Sequence, residues 1–266
     1  MANQSKDNSK INETAFGLSQ KQLITLFVLK QLRYGHQRNA NQLFNLMEQA
    51  LPFKRRSRMY VYQTLKGMHR NGTVAQTKSG RSYYYAITSK GEQDYQHFLT
   101  LHLQRFETIK KILDMMLEQV IHPQRQKAHA LEMTLSEEDR KFVSRVINVR
   151  DLVRYLTLRE LQQHPKGIHG GHVYRYIKDC FVWYVSEGYF YDVLRRMENP
   201  QKYDPESVEF SLVYSTWADP DTRSHRNYFL NQNGKAVFST IESNLTNELR
   251  DVHRYINSIL SLLSTS

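Results

Sequence analysis

Two stretches of this chain repeat one another, and that constrains the fold more than any other feature. A repeated pattern of apolar spacing calls for a repeated structural unit. Val61-Tyr62-x-x-Leu65-x-x-Met68 matches Phe190-Tyr191-x-x-Leu194-x-x-Met197 at an offset of 129 residues, and Leu23 and Leu152 share that offset. Tyr83-Tyr84-Tyr85-Ala86-Ile87-Thr88-Ser89-Lys90-Gly91 matches Arg226-Asn227-Tyr228-Phe229-Leu230-Asn231-Gln232-Asn233-Gly234 at an offset of 143. The two offsets differ by 14 residues, a difference that falls inside a turn-rich hairpin where added length leaves a core undisturbed. The 266 residues therefore read as a duplication.

Each copy carries the same order of elements. In the first, Leu23, Leu26, Phe27, Leu29 and Leu32 fall at helical spacing and predict a helix over Ser19 to Arg33, ended by Tyr34-Gly35. A second helix starts near Asn41 and stops at Pro52, and a third opens with Ser57 as N-cap and closes at Asn71-Gly72. Strands over Thr73 to Lys78 and Ser82 to Thr88 flank the turn Ser79-Gly80. In the second copy, Ser136 with Asp139 forms a variant capping box. Helices follow through Leu152 to Leu161, Gly171 to Tyr184 and Glu187 to Met197, then strands at Ser207 to Thr216 and Asn227 to Asn231.

Three helices followed by a hairpin is the order of a winged helix. The fold expectation is mainly α with small β-hairpin wings: tandem winged helix-turn-helix domains with long packing helices. Residues 1–18 read as a disordered leader, 19–121 as repeat 1, 122–135 as a linker and 136–266 as repeat 2. The long helices, Ser89 to Val120 and Lys235 to Leu263, carry more apolar surface than one small domain covers, which predicts that they pack together or join a homodimer.

Charge separates the copies. Residues 1–135 hold 20 Lys and Arg against 9 Asp and Glu, whereas residues 136–266 hold 17 of each. The whole net charge of +11 thus lies in the first half, where it attracts a polyanion without sequence information.

The first repeat resembles the PadR family of bacterial transcriptional regulators. The matching run is Val61 to Met68, then Gly72-Thr73-Val74, then Tyr83 to Gly91. In that family the pattern is a recognition helix with Val-Tyr-x-x-Leu, a glycine turn, and a wing ending in Tyr-Tyr-x-Leu-Thr-x-x-Gly. The likeness covers about Leu23 to Val120, and a looser one covers Asp151 to Leu263. It implies a double-stranded-DNA partner and, often in that family, a small aromatic effector. Members usually carry one winged helix and dimerise through C-terminal helices, whereas this chain carries two.

Side chains that read base edges or hold phosphates gather on the polar side of the third helix. Arg58, Gln63, Lys66 and Arg70 lie opposite the Val61, Leu65 and Met68 stripe, with Lys54, Arg55, Arg56 and Ser57 before it and Thr64 at its border. Lys78 and Arg81 in the wing suit phosphates or the minor groove. In the second repeat Arg195, Arg196 and Arg226 are the matching candidates, but Glu187, Asp192, Asp219 and Asp221 would repel phosphates there. That repeat is therefore expected to serve assembly more than base readout.

The aromatic run Phe181, Trp183, Tyr184, Tyr189, Phe190 and Tyr191 reads first as core and second as an effector pocket. His169-Gly170-Gly171-His172 is too sparse for a metal site, and the single cysteine, Cys180, gives no zinc spacing. No phosphate-binding glycine loop or nucleophile elbow is present, so neither an enzyme nor a cofactor is expected. No stretch approaches membrane-span length, and the composition suits a cytoplasmic, nucleoid-associated protein. The expected function is a sequence-specific DNA-binding regulator, a repressor. The alternatives are a plasmid or phage replication or segregation factor, and an adaptor in which repeat 1 tethers repeat 2 to DNA.

Overall fold

The computed structural model describes residues 18–51, 57–122, 135–222 and 225–264. It divides into two compact units: Met1–Lys111 with Asp251–Ser266, and Ile112–Arg250.

The first unit opens with α1 (Gln20–Leu32), whose N-cap Ser19 forms a reciprocal capping box with Gln22. A two-residue strand, β1 (Arg38–Asn39), leads into α2 (Ala40–Ala50), boxed in turn by Asn39 and Gln42. Next come α3 (Arg58–Arg70), β2 (Val74–Ser79) and β3 (Ser82–Ile87). Ser57 takes the N-cap position of α3, but its hydroxyl makes no capping bond; the backbone carbonyl of Ser57 accepts from Tyr60 and Val61 instead. The sheet order is β1-β3-β2, antiparallel, with Arg38 opposite Tyr85 and Val74 opposite Ile87. Leu23, Phe27, Leu43, Met47, Val61, Leu65 and Val74 close the core, each at most 1% exposed.

The second unit repeats this order. After α5 (Glu137–Val146) come α6 (Val149–Gln163), β4 (Ile168–His169), α7 (Gly170–Cys180), α8 (Glu187–Glu198), the single turn α9 (Pro200–Tyr203), β5 (Val213–Trp217) and β6 (Arg226–Leu230). Its sheet order is β4-β6-β5, with Ile168 opposite Tyr228 and Val213 opposite Leu230. Tyr85 and Tyr228 thus hold the same register position, each facing the short strand that precedes the second helix. The mainly α architecture with three-stranded wing sheets is that of a winged helix.

The strand-to-helix junction is the same in both units. Thr88 closes the first wing: its hydroxyl donates to the carbonyls of Gly72 (2.7 Å) and Thr73 (3.0 Å) and accepts from the Gly91 N–H. Asn231 does the equivalent, accepting from the Gly234 N–H at 2.8 Å and donating to the Ser211 carbonyl at 2.8 Å. A Cβ on Gly91 would collide with the Thr73 carbonyl oxygen, and one on Gly234 with that of Leu212. Both glycines are therefore required by close backbone approach.

The junctions lead into α4 (Ser89–Ile121) and α10 (Gln232–Leu263). At 33 residues α4 is about 50 Å long, more than one winged helix can cover. It begins in the first unit and its residues from Ile112 belong to the second, while α10 from Asp251 onward belongs to the first. Within the first unit the Tyr95 hydroxyl donates to the Leu262 carbonyl at 2.8 Å, and Lys30 Nζ to those of Ser261 and Ser264 at 2.6 and 2.9 Å. Within the second, the Tyr155 hydroxyl donates to the Val120 carbonyl at 3.1 Å. Phe106, Ile109, Ile112, Leu113, Leu249, Ile256 and Ile259 are all fully buried, whereas Leu101, in the same expected stripe, is 55% exposed.

Several expected boundaries move. The helix expected to reach Tyr184 stops at Cys180 because Phe181, Val182 and Trp183 turn inward, at 2–6% exposure, and the Trp183 indole donates to the Arg140 carbonyl. The strand expected from Ser207 begins at Val213, since Glu209 is drawn aside to Arg150 (2.6 Å) and Arg154 (3.3 Å). Ser136 caps α5 through the Asp139 N–H, and its hydroxyl donates to the Asp139 carboxylate.

Candidate nucleic-acid interface

In the first unit α3 turns Val61, Thr64, Leu65 and Met68 inward and leaves Arg58, Gln63, Lys66 and Arg70 in solvent. No Asp or Glu stands on α3 or anywhere in the hairpin 74–87. Arg58 packs its guanidinium on the Phe44 ring at 5.1 Å. Lys78 and Arg81 are exposed near the tip of the wing, where the strands meet at Ser79 and Ser82 around Gly80. Among the described residues none of these five cations makes an ion pair. A cationic face with no internal counter-charge keeps its full field for an external anion.

Thr64 is the exception among the expected contacts. Its side chain is 4% exposed and its hydroxyl donates back to the Tyr60 carbonyl at 2.9 Å, so it belongs to the core side of the helix. Lys54, Arg55 and Arg56 lie outside the described residues. Three exposed apolar or aromatic side chains that charge-based reasoning passed over share the surface: Met59 (64%), Tyr62 (40%) and Tyr83 (51%). The Tyr62 hydroxyl donates to Asn41 Oδ1 at 3.2 Å, which ties α3 to the first turn of α2.

In the second unit the candidates separate. Arg196 Nε lies 2.9 Å from Asp192 Oδ2, and Arg226 lies 3.5 Å from Glu198 while stacking on Trp217 at 4.5 Å. Arg195, by contrast, is exposed with no carboxylate partner among the described residues. Asp219 is spent locally: its carboxylate accepts from the Asp221 and Thr222 N–H groups and the Thr222 hydroxyl, which hold it below the usual carboxylate range. Glu198 was not singled out in the sequence, yet it is the residue that restrains Arg226.

The aromatic run also divides. Phe181, Trp183 and Phe190 are core at 0–3% exposure, while Tyr184 and Tyr189 line an open cleft of about 780 Å3 with Arg140 and Arg145. The rings of His169, His172 and His225 gather, with centroids 5.7 and 4.9 Å apart, and burial, then His225, lowers the His169 pKa. No group of His, Cys, Asp or Glu among the described residues is arranged to hold a metal ion. No described helix is long and apolar enough to cross a membrane.

Neither a protein-family model nor a curated protein matches the chain. Among solved structures it is similar to Bacillus subtilis PadR in complex with operator DNA, at 13% identity and a TM-score of 0.25, over 89% of this chain and 97% of that one. At that TM-score the likeness adds nothing to the fold, which rests on the element order and strand registers above.

Proposed function

We propose that this chain is a double-stranded-DNA-binding transcriptional regulator, a PadR-like repressor that acts by occupying a promoter, and that its first unit reads the bases. The observation that carries this is the α3 face. Arg58, Gln63, Lys66 and Arg70 are exposed together, free of carboxylates, on the third helix of a winged helix whose wing adds Lys78 and Arg81. Arg and Lys on such a helix are the side chains that take guanine edges and phosphates. The two units are a tandem duplication, supported by the matched registers of Tyr85 and Tyr228 and the matched glycines Gly91 and Gly234. Two chains forming a homodimer would each cover one half-site of a palindromic operator. The Tyr184–Tyr189 cleft is the place for an aromatic effector.

Selection of bound duplexes from a random pool, followed by sequencing, tests the reading. A defined motif that is lost in Gln63→Ala/Lys66→Ala supports it. Retention of binding with no enriched motif would remove sequence-specific regulation as the function.

A further inference from the structure

The recognition surface of the second unit is notched. A hollow of about 360 Å3 opens where α8, α9, β4 and the hairpin meet, walled by Tyr191, Tyr203 and Trp217. Three cations converge on it from three elements: Arg195 of α8, Lys202 of α9 and Arg226 of β6. We propose that this notch grips a phosphodiester group of the DNA backbone, making the second unit a clamp that holds duplex without reading its sequence. The proposal rests on the DNA-binding reading above.

Local charge favours it where the net charge of the half-chain does not. The notch holds one carboxylate, Glu198, against the three cations, and Glu198 is already engaged by the Ser215 hydroxyl at 2.5 Å and by Arg226. Arg195 and Lys202 have no carboxylate partner among the described residues. The acidic residues that weigh against DNA in the sequence act elsewhere, Asp192 on Arg196 and Asp219 on its own turn. Arg226 lies over the Trp217 ring at 4.5 Å and against Glu198, so it marks the wall of the notch and leaves Arg195 and Lys202 as the cations open to an anion.

Comparison of the two units supports the same placement. Arg195 stands 129 residues after Lys66, on the equivalent turn of the third helix, so both units keep a cation there. Lys202 has no counterpart in the first unit, because α9 is an added turn begun by Pro200 between the third helix and the wing. Most of the added length falls there, before β5, and not inside the hairpin as the repeat offsets suggest. A duplex carries one charge per ~1.7 Å of axis, so a duplex laid on this face offers the notch a phosphate whatever its sequence. Base readout is a poorer fit, since Arg196 is tied to Asp192 and Glu187 stands on the first turn of α8.

The test uses the full chain and the exposed double variant Arg195→Ala/Lys202→Ala. Binding of a random-sequence duplex should weaken, with the slope of log affinity against log salt reduced by about one unit, the value for one lost phosphate contact. The preference for the selected motif over random duplex should stay unchanged. Trp217 supplies a local signal, being 37% exposed while Trp183 is 2% exposed and shielded. Duplex should protect it from acrylamide quenching. An unchanged salt slope, or a loss confined to the selected motif, overturns the clamp and leaves the proposed function standing. Protection of Trp217 by inorganic phosphate or a mononucleotide but not by duplex also overturns it, making a free phosphate ester the occupant. Failure of the wild-type chain to bind any duplex would bring down the DNA-binding reading itself.

Discussion

Arg196 and Asp192 face each other one turn apart on α8, with Nε 2.9 Å from Oδ2. The third helix of the first unit has no such pair: Arg58, Lys66 and Arg70 stand on α3 with no acidic residue beside them. Arg196→Ala is therefore expected to leave DNA affinity within twofold, because that guanidinium is already committed. Replacing Arg55, Arg56 and Arg58 together with alanine should weaken binding and flatten its salt dependence by about one unit per lost phosphate contact. Thr64→Val should leave sequence preference intact, since its hydroxyl is buried against α3. Titrations at several salt concentrations check all three variants, and an Arg196→Ala loss equal to that of the triple variant would contradict the contrast.

Gly91 and Gly234 are expected to resist replacement. Alanine at either drives a methyl group into backbone, at Thr73 or Leu212, that is held by hydrogen bonds on both sides. Thr73 donates to the Met68 carbonyl and accepts from the Thr88 N–H, and Leu212 donates to the Met197 carbonyl and accepts from the Asn231 N–H. Each should cost about 2 kcal/mol. Gly67 is the internal control, because a Cβ there meets nothing within 4 Å and the residue sits inside α3. Gly67→Ala should stabilise by about 0.5–1 kcal/mol through helix propensity. Thermal or urea denaturation of the three variants gives the comparison.

The long helices supply core to both units. Leu249 and Ile112 are fully buried, so Leu249→Ala should cost about 2–5 kcal/mol. Ile112→Asp should cost more, since it also buries an unpaired charge. A melting temperature unchanged by both would show that these helix faces carry no stabilising contacts.

Glu160 sets a pH dependence. Its side chain is buried, and burial raises its pKa above the ordinary 4.5 against the opposing pull of His164 and Arg159. A carboxyl with a raised folded pKa binds more protons folded than unfolded. Stability therefore falls as pH rises from about 4.5 through the raised value, and the penalty is complete above it. Glu160→Gln should melt higher than wild type at pH 7, with the gain shrinking as pH falls through the raised value and gone below about 4.5. Melting curves of both proteins, taken from below pH 4.5 upward to neutrality, check the sign.

Much of the architecture was legible in the residues because it is local or periodic. Apolar spacing of 3.6 marks α3 and α8, Ser57 and Ser136 stand at the helix starts where the sequence puts them, and distant runs match one another at fixed offsets. The sequence determined by itself which helix carries cations and which half of the chain carries the charge, since both are properties of composition and order. Tertiary structure alone decided which charges remain available. Glu198 reaches Arg226 across 28 residues, and Glu209 reaches Arg150 and Arg154 across 59 and 55. The two-residue strands β1 and β4 are likewise too short to have a period of their own, and only their partners in β3 and β6 define them. Pairing and burial depend on which side chains meet in space, and no spacing along the chain encodes that meeting.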